Sequence, residues 1–148
     1  MGAENKTQTN VKQAVPFFGV SSMEASLLFY VDGLGFRMAN KWIDEGKLRW
    51  CWLEIGGAAL MLQEFRKEGH DSWNPSSKLG EGVHICFMCE HALAIYHEAT
   101  ARGVKVRNIP FVGNGLWVVG FDDPDGYQIE FESPTDVPEE TEYSPQQK

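Results

Sequence analysis

The chain has 148 residues, enough for one domain near the commonest size and too few for a second full one. A formal charge of -8, with its 13 lysines and arginines scattered, argues against a polyanionic partner such as nucleic acid. No apolar run approaches the roughly 18 residues of a membrane span and the start lacks the charged-then-apolar order of a signal peptide, so the expectation is a soluble cytoplasmic protein with Cys51, Cys86 and Cys89 as reduced thiols.

Residues 1–13 are almost entirely polar and read as a disordered tail. A short apolar strand over 15–20 leads into a helix. Ser21 and Glu24 stand at capping-box spacing, Ala25, Leu28 and Val31 recur as a stripe, and Gly35 ends the helix where a left-handed residue is needed. Extended stretches follow near 36–42, 48–55 and 58–64, the last two joined by Gly56 and Gly57. The irregular stretch 65–82, with His70, Trp73, Asn74 and Pro75, is long enough for a lid and equally suits a linker. The same order then returns: a strand over 83–88, a helix carrying Leu93, Tyr96 and Ala99, Gly103, and strands near 104–109, 116–121 and 127–132. Between the last two, Asp122-Asp123-Pro124-Asp125-Gly126 is a strong reverse-turn signal. Residues 134–148 combine Pro134, Pro138 and Pro145 with several acids and read as an acidic tail unable to order itself.

Sliding the chain on itself by 68 residues superposes the two helical stripes and lays Gly35 on Gly103. The chain is therefore expected to be α+β, a single domain over 14–133 made of two βαβββ modules, about 14–66 and about 82–133.

The run DPDGYQIEF (Asp123 to Phe131), the strand VHICF (Val83 to Phe87) and the segment SSMEASLLFYVDGLGF (Ser21 to Phe36) resemble the vicinal oxygen chelate superfamily, which includes glyoxalase I, extradiol dioxygenases and the metal-free bleomycin-binding proteins. The resemblance implies a cupped sheet with helices outside, suggests a homodimer, and implies metal ligands on the first and last strands of each module. His84 and Glu130 occupy two of those positions in the second module.

Strand parity sets which side chains enter such a cup. Ile129 and Phe131 are expected under a helix, which turns Glu130 inward; Val83, Ile85 and Phe87 likewise leave His84 and Cys86 on the inner face. The offset of 68 sets Pro16 opposite His84, and a slip of one sets Val15 there; Leu62 falls opposite Glu130, and none of these binds metal. Glu64, two residues beyond Leu62, keeps the parity assigned to the inner face and completes a candidate set of His84, Glu130 and Glu64, suited to Zn, Mn, Fe(II) or Ni. Leu60, Leu62, Trp50, Trp52, Trp117 and Cys86 are the expected pocket wall. Each has a plainer reading: a hydrogen-bonded sheet histidine, a surface glutamate, core tryptophans.

Two functions follow. In one, a metal at His84 and Glu130 polarises substrate oxygens while a carboxylate, Glu130 or Glu64, or metal-bound water moves a proton, which is lyase, isomerase, dioxygenase or transferase chemistry. In the other, no metal is held and the cup binds a small molecule or drug, as in the bleomycin-resistance members.

Overall fold

Alternating apolar side chains build the strands in two sets of four. The computed structural model describes residues 10–69, 72 and 75–145. Its elements are β1 (Phe17–Val20), α1 (Met23–Leu27) running on as a π-helical segment (Leu28–Gly33), β2 (Arg37–Asp44), β3 (Lys47–Ile55), β4 (Ala58–Glu64), β5 (His84–Met88), α2 (Ala92–Ala101), β6 (Phe111–Gly113), β7 (Leu116–Asp122) and β8 (Gln128–Pro134). The first sheet has the order β1-β4-β3-β2 and the second β5-β8-β7-β6. In each, the first strand of the module lies parallel to the last and the other pairs are antiparallel, so the two βαβββ modules are present as expected.

One face of each sheet is closed by the core. Phe18, Val20, Cys51, Leu53, Leu60 and Leu62 are buried in the first module, and Phe87, Val119, Phe121, Ile129 and Phe131 in the second, all in one cluster. Gly35 and Gly103 take φ of 91° and 89°, the left-handed backbone that ends each helix without a Cβ clash.

The turn Asp123-Pro124-Asp125-Gly126 ties the modules together. Asp123 Oδ1 accepts from the amides of Asp125 and Tyr127 at 2.9 and 2.8 Å, while Oδ2 accepts from the buried Tyr30 hydroxyl of the first module at 2.8 Å. The Tyr127 hydroxyl donates to Gly19 O at 2.8 Å and its ring stacks on Phe18 at 4.2 Å. Burial pushes the Asp123 carboxyl above the ordinary aspartate range even against the pull of its hydrogen bonds.

Four expectations need correction. The cap of α1 is Ser22, whose Oγ accepts from Ala25 N; Ser21 instead donates to Asp125 Oδ1 at 2.5 Å. Within α1 and its π-helical extension the buried side is Met23, Ser26, Tyr30 and Gly33, and Leu28 is 59% exposed, so the buried face is out of phase with the stripe of Ala25, Leu28 and Val31 from the first turn onward. Residues 104–109 are not a strand: Val104 and Val106 pack on the core from a loop, and the edge strand begins only after Pro110, which has no amide to donate to a ladder.

The acidic C-terminal segment is docked on its own domain. Val112 N donates to Thr141 O, Glu140 N to Val112 O and Tyr143 N to Pro110 O, which lays the segment along β6, while the Glu139 carboxylate takes the amides of Asn114 and Gly115. Tyr143 supplies the apolar anchor, meeting Tyr96, His97 and Trp117 edge-on. Residues 1–9, expected as a tail, and His70, Trp73 and Asn74, expected in a lid or linker, lie outside the described residues.

Candidate functional site

Opposite the core, each sheet presents a face that no helix among the described residues covers. On the second sheet β5 and β8 run side by side, pairing His84 with Gln128, Cys86 with Glu130 and Met88 with Glu132. His84 Nδ1 and Glu130 Oε1 are 2.7 Å apart, so the inward carboxylate has its partner. The Cys86 thiol lies 3.8 Å from the same oxygen. Burial, with Glu132 and Glu130 alongside, pushes this thiol up to about 12, which keeps it protonated and removes it as a nucleophile at neutral pH. Ligand atoms of Cys86, Glu130 and Glu132 lie within 4.8 Å of one another.

Glu64 joins none of these. It shares the face of Leu60 and Leu62, which are fully buried with Cys51 and Leu53 as their cross-strand partners, so the inward parity assigned to all three is reversed. Its Oε2 accepts from Met23 N at 2.9 Å at the start of α1, and its Oε1 pairs with Lys47 Nζ at 2.5 Å. Ser133 Oγ does the same for Ala92 N at the start of α2. Glu64 and Ser133 are thus equivalent helix-start acceptors one residue off the register of Gly35 and Gly103, and the π-helical segment absorbs the extra residue. In that register Val15 matches His84 and Met61 matches Glu130. The first module therefore supplies neither an imidazole nor a carboxylate at the family's ligand positions, and the chain does not fit the two-module metal set. Trp117 also leaves the expected wall: it is buried on the helix side with Ser133, beside a cavity of about 500 Å³ that includes His91, Leu93 and His97.

Burial alone raises the Glu64 pKa, but Lys47 and the Met23 amide outweigh it and hold the carboxyl below the usual range. Its stabilisation is present above the unfolded-state pKa and is lost as pH falls through the folded one. Glu64→Gln should therefore cost about 1 kcal/mol at pH 7 and almost nothing near pH 3, read from denaturant melts of both proteins at both pH values.

Trp50 and Trp52 lie on the face of the first sheet turned away from the core, together with residues outside the expected wall. Cross-strand pairing sets Trp42 beside Trp50, and Trp52 between Asn40 and Met61, with Phe17 next to Met61. Trp42 and Phe17 are 40% and 44% exposed and extend the apolar surface of this face among the described residues. On the second sheet Gly120 pairs with Glu130, and the Arg107 guanidinium rests on it. A glycine in the middle of an otherwise apolar strand was the one sequence signal for that approach.

The paired mixed sheets, each four-stranded with one helix, define a small α+β domain of the vicinal oxygen chelate type. The chain belongs to the Glyoxalase/Bleomycin resistance protein/Dioxygenase superfamily, whose family model matches residues 12–131. Similar solved structures include a glyoxalase/bleomycin resistance protein from Streptomyces sp. CB03234 (23% identity, TM-score 0.62, covering 82% of this chain and 100% of that one). The antibiotic binding protein TnmS3 from the same source is 24% identical, with a TM-score of 0.61 and coverage of 84% and 98%. A hypothetical protein, SA1046, from S. aureus is 22% identical, with a TM-score of 0.61 and coverage of 87% and 99%. A comparison with curated protein sequences found no match. Among the described residues no helix is long and apolar enough to cross a membrane.

Proposed function

We propose that this chain is a small-molecule-binding protein that holds a flat, largely apolar ligand on its uncovered sheet faces without using a metal. The observation that carries the reading is the apolar surface that Trp42, Trp50, Trp52 and Met61 form among the described residues, where the resemblance implies metal ligands and this chain has Val15 and Met61. Indole rings offer large rigid contact area at low entropic cost, which suits a planar guest. The antibiotic-binding neighbour is consistent with that class.

The test titrates 6-propionyl-2-(dimethylamino)naphthalene, a flat fluorescent ketone, into untagged protein with and without EDTA. Binding should be saturable and unchanged by EDTA, and Trp50→Ala should weaken it about tenfold. Binding that vanishes with EDTA, or that ignores the loss of Trp50, would overturn the reading.

A metal-dependent lyase or dioxygenase is the second reading. It is favoured by the His84 and Glu130 pair and by the donors of Cys86 and Glu132 nearby. The EDTA arm of the same titration separates the two.

A further inference from the structure

We infer that Arg107 is the ligand-orienting donor of the second sheet's uncovered face and that it selects an uncharged carbonyl oxygen. The inference rests on the small-molecule-binding reading above and names the polar group of that ligand.

Arg107 sits in the loop after α2, and its backbone N donates to Gly120 O at 2.8 Å. Two corners of the guanidinium are fixed: Nε donates to Asp122 Oδ1 at 3.0 Å and Nη2 to Phe121 O at 3.1 Å. The group lies against Gly120 from the side on which that residue would carry a side chain, with Nη1, Cζ and Nη2 at 3.0, 3.2 and 3.5 Å from the position of a Cβ. Gly120 has no positive φ, so its backbone does not require glycine; what requires it is the guanidinium. Neighbours Val119 and Phe121 are buried in the core, so Arg107 rests on the side turned away from it, shared with Glu130, the cross-strand partner of Gly120.

Nη1 has no acceptor among the described residues. A side chain held at two corners loses little entropy when the third binds, which favours a directional hydrogen bond to a guest. The charge of the face decides the kind of acceptor. Asp122 already balances Arg107, while Glu130 and Glu132 stand on the same side, with His84 beside Glu130. An anionic guest would meet that surplus of carboxylates; a neutral carbonyl accepts from Nη1 without repulsion.

The experiment compares three probes on the wild type: the naphthyl ketone above, 2-(dimethylamino)naphthalene, which lacks the carbonyl, and 2-naphthoate, which is anionic. The ketone should bind about tenfold more tightly than either of the others. Arg107→Met should abolish that preference and blue-shift the bound ketone's emission while leaving the carbonyl-free probe unchanged. Gly120→Val, which keeps the arginine but takes its seat, should do the same, and serves if Arg107→Met does not fold. A ketone preference that persists in a folded variant overturns the role of Arg107, and tighter binding of naphthoate overturns the neutral-carbonyl assignment. Failure of every probe to bind the wild type overturns the binding reading itself.

Discussion

Asp123→Ala should destabilise the domain by about 3–5 kcal/mol, the largest effect expected of any single substitution outside the apolar core. The carboxylate satisfies the Tyr30 hydroxyl and the amides of Asp125 and Tyr127 in a buried site, and alanine leaves all three donors without it. Because Tyr30 lies in the first module and Asp123 in the second, the loss falls on the contact between modules. Tyr30→Phe removes one hydrogen bond and leaves one carboxylate oxygen, so it should cost about 1–2 kcal/mol. The double variant should cost less than the sum, since both single changes delete the same bond. Urea melts of the three variants check this, and equal, additive small losses would mean that the turn is held by its backbone alone.

Removal of residues 135–148 should cost about 4–6 kcal/mol and lower Tm by about 10–20 °C. Composition alone predicts no effect, because a charged, proline-rich tail buries little. The structure gives it specific work: backbone bonds to Pro110, Val112 and Gly115 along an otherwise open sheet edge, and Tyr143 against Trp117 and Tyr96. Tyr143→Ala should reproduce a large part of the loss. A truncated chain that melts with the full-length protein would show that the segment does not bind its edge in solution.

The repeated module was legible because its signals are local. Gly35 and Gly103 end their helices through backbone conformation, and the Asp123 turn folds on its own side chain, so residue type at fixed spacing was enough. Parity in β8 was legible for the same reason, and it correctly turned Glu130 to the side of His84. Parity in β4 was not. Leu60, Leu62 and Glu64 share a face, and a face ending in a carboxylate reads as the polar one until the start of α1 and Lys47 are seen to occupy it. The one-residue difference between modules was likewise invisible, since a π-helical turn changes the phase without a distinctive residue to mark it.

By itself, then, the sequence determined the α+β class, the duplicated βαβββ order and the His84 and Glu130 pair, each of which depends on neighbours a few residues away or on alternation along a single strand. Tertiary structure alone decided that Glu64 serves α1 and that Trp117 is core. It also decided that Trp42, Met61 and Phe17 join Trp50 and Trp52, and that Arg107 rests on Gly120. These depend on which strands pair, in what register, and on which side a helix lies. Such contacts join residues distant in the chain, and periodicity along one strand carries no information about them.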